Sequence, residues 1–143
     1  MSASAIARAV AAALDAAKAP HPASVTVVLT DDEELADLNQ EHMGNEGPTD
    51  VLSFPMLEPA AFPAKGSRPR QRVHIGDIAI SVERAIEQAI GGRGGHTGDV
   101  RWSPADELRL LVTHGTLHLC GWDHAEPAGE RSMRELEGRL LAR

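Results

Sequence analysis

Three of the chain's seven histidines, His114, His118 and His124, fall within eleven residues. The first two are four positions apart. On a helix of 3.6 residues per turn their imidazoles point to nearly the same side, about one turn apart. Gly121 follows them, and glycine accepts the positive φ that lets a chain leave a helix sharply. Such a turn brings His124 back toward the first two. Three neutral imidazoles suit one Zn2+ ion, with bonds of roughly 2.0–2.1 Å in tetrahedral geometry. Three protein ligands leave a fourth position for water, as catalytic rather than closed structural sites do. Zinc lowers the pKa of such a water to about 7, which makes a nucleophile available at neutral pH. Nickel, copper and iron accept the same donors, and a histidine pair at this spacing also occurs as plain core or surface histidine.

The residues around the triad have their own readings. Asp123, next to the third histidine, is a candidate for orienting a histidine N–H or for acting as a base, and equally for capping the turn. Cys120 is two positions from His118, so a helix points it elsewhere, and it reads as a buried structural thiol. Trp122 reads as a packing residue. The offsets of His114, His118, Gly121 and His124 match the protease pattern H-E-x-x-H-x-x-G-x-x-H. That pattern needs a glutamate after the first histidine as general base, and here the position holds Gly115. The cradle therefore lacks a peptidase base, which leaves hydrolysis of another bond or a metal site without catalysis.

The elements that must position these side chains follow from periodicity and caps. Ser103-Pro104-Ala105-Asp106 starts a helix: serine as N-cap, proline at the first helical position, aspartate closing the box. Leu108, Leu111, Val112 and Leu119 give this helix a broad apolar face, so it is expected to be central and to end at Gly121. A last helix is expected from about Pro127 to Leu141, with Met133, Leu136 and Leu140 at helical spacing. Upstream, a helix is expected over Ser4 to Lys18, ended by Pro20 and Pro22, then a strand over Ser24 to Thr30. Thr30-Asp31-Asp32-Glu33 fits a capping box for a helix with Leu35 and Leu38 that fades near His42. Asp50 to Met56 reads as a short strand limited by Pro55. Residues 57–72 read as a long surface loop, Val73 to Ser81 as a third strand, Val82 to Ile90 as a helix, and Gly91 to Thr97 as a link. The fold class expected is α+β (mixed α/β): one domain over residues 1–143, with a small sheet covered by helices. Strand order does not follow from the pattern.

Composition narrows the function classes. A chain of 143 residues with 42% apolar and 24% charged residues is ordinary for a globular protein. At 3% aromatic, its core must be mainly Ala, Leu, Val and Ile. A single cysteine excludes an intramolecular disulfide and suits a reducing compartment. Arg8 and Asp15 interrupt the Ala-rich start, so no signal-peptide core forms. No apolar run is long enough to span a bilayer, and the expected location is the cytoplasm, with no membrane partner. The net charge of −7 argues against a protein that coats nucleic acid nonspecifically. It leaves room for a local basic groove, with Arg68, Arg70, Arg72, Arg93 and Arg101 as candidates or as solvated loop charges.

The stretch His114–His124, HGTLHLCGWDH, resembles the signature H-G-x-L-H-L-x-G-[YW]-D-H of the YbeY family of bacterial endoribonucleases and ribosomal RNA maturation factors. Residues 48–55, PTDVLSFP, resemble a second family block, Gly76–Ile80 resembles its LGDI-type strand, and Leu38-Asn39 matches the pair before the first block. The resemblance runs in order over residues 24–142. It implies a zinc-dependent, single-strand-specific endoribonuclease with one Zn2+ on His114, His118 and His124. The implied role is 3′-end maturation of small-subunit (16S) ribosomal RNA and ribosome quality control. Implied partners are single-stranded RNA, the small ribosomal subunit and its proteins, and an Era-type GTPase. His42 and Met43 stand where members usually carry tyrosine and arginine. A cation from residues 68–72, or Arg84, is then expected to offset charge at the phosphate. Two other readings stand beside this one: a ribosome-assembly factor with a structural zinc, and a metallohydrolase of a peptide or small molecule.

Overall fold

The computed structural model describes residues 2–44, 49–58, 62, 72–91, 102–122 and 127–141. Ser2 opens the first helix, α1 (Ala3–Ala16), by accepting the N–H of Ala5 on its side chain. The helix stops two residues short of the expected Lys18, which sits at φ +58 and turns the chain before Pro20 is reached. Strand β1 (Ala23–Thr30) follows, then α2 (Asp32–Leu38). The cap of α2 is one residue later than the expected box. Asp31 accepts the Glu34 N–H at 2.9 Å, while Thr30 bonds the Glu34 side chain. Thr30 is held in the sheet opposite Ser81, so it cannot also serve as the helix cap. A π-helical turn over Asn39–Met43 continues α2, and Gly44 ends it at φ +70.

Strand β2 (Val51–Pro55), strand β3 (Val73–Ser81) and helix α3 (Val82–Ile90) come next. The sheet order is β1-β3-β2, with β1 parallel and β2 antiparallel to the central β3. Pro55 is tolerated because β2 is an edge strand. Helix α4 (Pro104–Leu119) carries the expected capping box between Ser103 and Asp106, with proline in its first turn. Helix α5 (Pro127–Leu141) closes the described chain.

Strand alternation sends side chains to two faces, and each face has its own cover. On one, Ile75, Ile78 and Ile80 pack with Leu108, Leu111, Val112 and Leu119 of α4, and Ile6, Val10 and Leu14 of α1 join them. On the other, Leu52 and Ala79 pack beneath Leu35, with Leu38 and Phe54 beside them. A third cluster joins Ala13, Leu117, Met133 and Leu136, so α1 and α5 close over the back of α4. Helix α4 is therefore buried nearly all round, including Leu110, Thr113 and Thr116. This is the expected mixed α/β fold with a small sheet covered by helices.

Candidate functional site

Helix α4 lies close against the sheet at Gly115. A Cβ there would lie 3.0 Å from Ile78 Cγ2 and 3.3 Å from Ser53 Oγ. Ser53 in turn donates to the Gly115 carbonyl at 3.1 Å. One turn on, Leu119 lies against Gly76, where a Cβ would sit 2.5 Å from the Phe54 carbonyl oxygen and 2.8 Å from Leu119 Cδ2. Gly76 and Gly115 thus let the strands and α4 approach at two levels. The approach explains the glycine after the first histidine. Position 115 faces the sheet, so a glutamate there would be driven into the core rather than toward the imidazoles.

His114 and His118, one turn apart on α4, project together. Their Nε2 atoms are 3.0 Å apart, and their rings meet edge to face with centroids at 4.5 Å. Two ligands of a tetrahedral zinc with bonds of roughly 2.0–2.1 Å stand about 3.3 Å apart. The pair needs to open by only a few tenths of an ångström to share one ion. The residues present therefore fit a metal that takes imidazole nitrogen. The other nitrogen of His114, Nδ1, lies 2.5 Å from Glu137 Oε1 of α5. Both partners are largely shielded, with side chains 26% and 12% exposed.

Among the described residues, no group of three or more His, Cys, Asp or Glu side chains gathers into a metal cage. The sequence expectation placed His124 as third ligand and Asp123 as orienting group or base; both lie outside the described residues. Gly121 ends α4 as expected, at φ +95, and Trp122 packs into the cluster of Ala13, Leu117 and Met133. Burial pushes the Cys120 thiol up to about 11, in keeping with a structural role.

The cations fare differently. Arg84 pairs with Asp32 at 3.3 Å and with Glu87 at 3.9 Å. It sits in the first turn of α3, just after Ser81. Arg84 thus clamps α2 to α3. Arg72 is exposed, while Arg68, Arg70, Arg93 and Arg101 lie outside the described residues. His42 packs its ring edge against Phe54, centroids 5.3 Å apart, on the face of the sheet away from α4.

Sequence reasoning missed Glu137. It lies 23 residues after His114 on another helix, and no spacing rule links the two. A weak signal existed: Glu137 follows Leu136 and sits four after Met133, both buried, which sets it at the border of the apolar face of α5.

Comparison with known proteins bears on the same residues. The model of the family described as "Endoribonuclease YbeY" matches residues 2–143. A protein of that name from Salinispora tropica is 45% identical over 136 residues, covering 91% of this chain and 80% of its own length. Its counterpart from Thermobifida fusca is 46% identical over 131 residues, covering 90% of this chain and 77% of its own. The solution structure of a Thermotoga maritima protein superposes with a TM-score of 0.58 at 25% identity, covering 99% of this chain and 82% of that one. The resemblance seen in the histidine motif and the two upstream blocks thus extends over the whole chain, which belongs to the Endoribonuclease YbeY family.

Proposed function

We propose that this chain, as one domain over residues 1–143, is a zinc-dependent endoribonuclease specific for single strands, acting in 3′-end maturation of small-subunit (16S) ribosomal RNA and in ribosome quality control. The observation that carries the reading is the convergence of two imidazole Nε2 atoms at 3.0 Å on the helix that holds the family's histidine motif. His114 and His118 would hold the ion, with His124 as third ligand by the sequence motif and Asp123 as a candidate for moving a proton or orienting a ligand. When bound, zinc supplies Lewis acidity at a phosphodiester. The chain's own part is to hold the imidazoles on a rigid, buried helix and to keep a peptidase base away from them, since residue 115 faces the sheet. The partners in this reading are single-stranded RNA, the small ribosomal subunit and its proteins, and an Era-type GTPase. The cytoplasm is the place of action. No helix among the described residues is long and apolar enough to cross a membrane.

A second reading, a ribosome-assembly factor in which the metal is structural, is favoured by one finding. Arg84, the cation offered for the phosphate, is held by Asp32 and Glu87 instead. One preparation separates the two: zinc content and cleavage of single-stranded RNA, wild type against His114→Ala. The endoribonuclease requires about one equivalent of zinc and cleavage that the variant loses. Zinc in the wild type with equal cleavage in both proteins would leave the assembly factor.

A further inference from the structure

The carboxylate beside His114 comes from a different helix than the histidines and has no place in their motif. We propose that Glu137 is a positioning residue of the metal site: it holds His114 in the one neutral tautomer that carries its lone pair on Nε2, the atom that would bind a metal ion. The proposal rests on the metal-site reading above.

A carboxylate only accepts hydrogen bonds. With Glu137 Oε1 2.5 Å from His114 Nδ1, the proton between them belongs to Nδ1. A neutral imidazole carries one proton, so its lone pair is then at Nε2. That Nε2 faces His118 Nε2 at 3.0 Å. A bond between two ring nitrogens needs one donor and one acceptor, so His118 donates from Nε2. The two histidines are thus unequal before metal arrives. His114 already presents its lone pair, while His118 must release its Nε2 proton or shift it to Nδ1.

Glu137 itself is anchored. Met133 and Leu136, on the same helix, are 1% and 7% exposed, and Arg109 of α4 donates to the Leu141 carbonyl at the end of α5. A hydrogen bond of this kind adds only modest net stability, because folding exchanges it for bonds to water. Holding two helices together is therefore a weak reason for its presence. A preset ligand is a stronger one, since outer-sphere partners of metal-bound histidine set ring orientation and tautomer.

The test uses the purified full chain and Zn2+ as the probe. Zn2+ affinity is measured by competition with a chromophoric chelator for wild type, Glu137→Gln and Glu137→Leu. Nitrogen-15 spectra of the metal-free proteins report the His114 tautomer. Glu137→Leu is expected to bind Zn2+ about 10–100-fold more weakly, with His114 no longer confined to the Nδ1–H form. Glu137→Gln keeps an acceptor but also offers a donor, so it should fall between, with mixed tautomers. If the leucine variant does not fold, the glutamine variant carries the test. Wild-type-like affinity, within twofold, and an unchanged tautomer in the folded variants would overturn the proposal alone. A wild type that takes up no Zn2+ would overturn the metal-site reading and the proposal with it.

Discussion

Two histidine–carboxylate pairs lie on opposite sides of the sheet. On the side of α4, His114 meets Glu137 at 2.5 Å; on the other, His74 meets Asp77 at 3.0 Å through Nε2. The second pair exists because a bulge after Ser24 shifts the β1–β3 register, which brings residues three apart to one face. What distinguishes them is the partner of the remaining nitrogen. His74 Nδ1 meets the Ser24 hydroxyl at 3.0 Å, a group that can donate or accept, and the ring is closed into a surface network. His114 Nε2 meets the Nε2 of a second imidazole, so two ring nitrogens converge. Exposure separates them as well: His74 and Asp77 are 42% and 35% exposed, against 26% and 12% for His114 and Glu137. A histidine beside a carboxylate is thus not by itself a sign of chemistry. The direction of its second nitrogen, and how dry its surroundings are, decide.

The most damaging test of this contrast is Gly115→Glu, which restores the glutamate of the protease pattern. Its side chain would meet Ile78 and Ser53, so overpacking and a buried charge act together. A loss of about 3 kcal/mol or more in urea unfolding is expected, with no gain of peptidase activity. A stable, peptide-cleaving variant would show that position 115 faces the imidazoles after all.

The dryness of the α4 side is read at Cys120. Its thiol is raised from 9.0 to about 11, so at pH 8 the thiolate fraction, and with it the rate of labelling by a thiol reagent, should be about 100-fold below that of a free thiol. Because the folded pKa is the higher one, this group leaves stability unchanged below pH 9 and lowers it as pH climbs toward 11. Fast labelling of the folded protein would mean that water reaches this side freely.

The smallest effect is expected from His74→Ala. Surface pairs contribute about 0–1 kcal/mol, so unfolding should shift by about 0.5 kcal/mol or less, and Zn2+ affinity should not move. A change in metal affinity would erase the distinction between the two pairs.

Local signals made much of the fold legible. The Ser103–Asp106 box, Pro104 and Gly121 bound α4 at both ends, and β3 and α3 run over the residues their patterns indicated. These features involve neighbours in the chain, where short-range sterics and caps decide. The reading slipped where a distant partner competes for the same residue. Thr30 has the chemistry of an N-cap, but pairing with Ser81 holds it in β1, and Asp31 caps α2 instead. Arg84 had the charge to meet a phosphate, but Asp32, 52 residues away, engages it.

The sequence by itself determined that His114 and His118 share a helical face, wherever that helix packs, and that no glutamate follows the first of them. Only the tertiary structure decided which face of α4 the sheet takes, and hence that Gly115 is pressed on Ile78. It also decided the order β1-β3-β2 and the arrival of Glu137 at His114. Periodicity records how one segment turns. Contacts between segments depend on how several buried faces fit at once, and spacing along the chain carries no record of that.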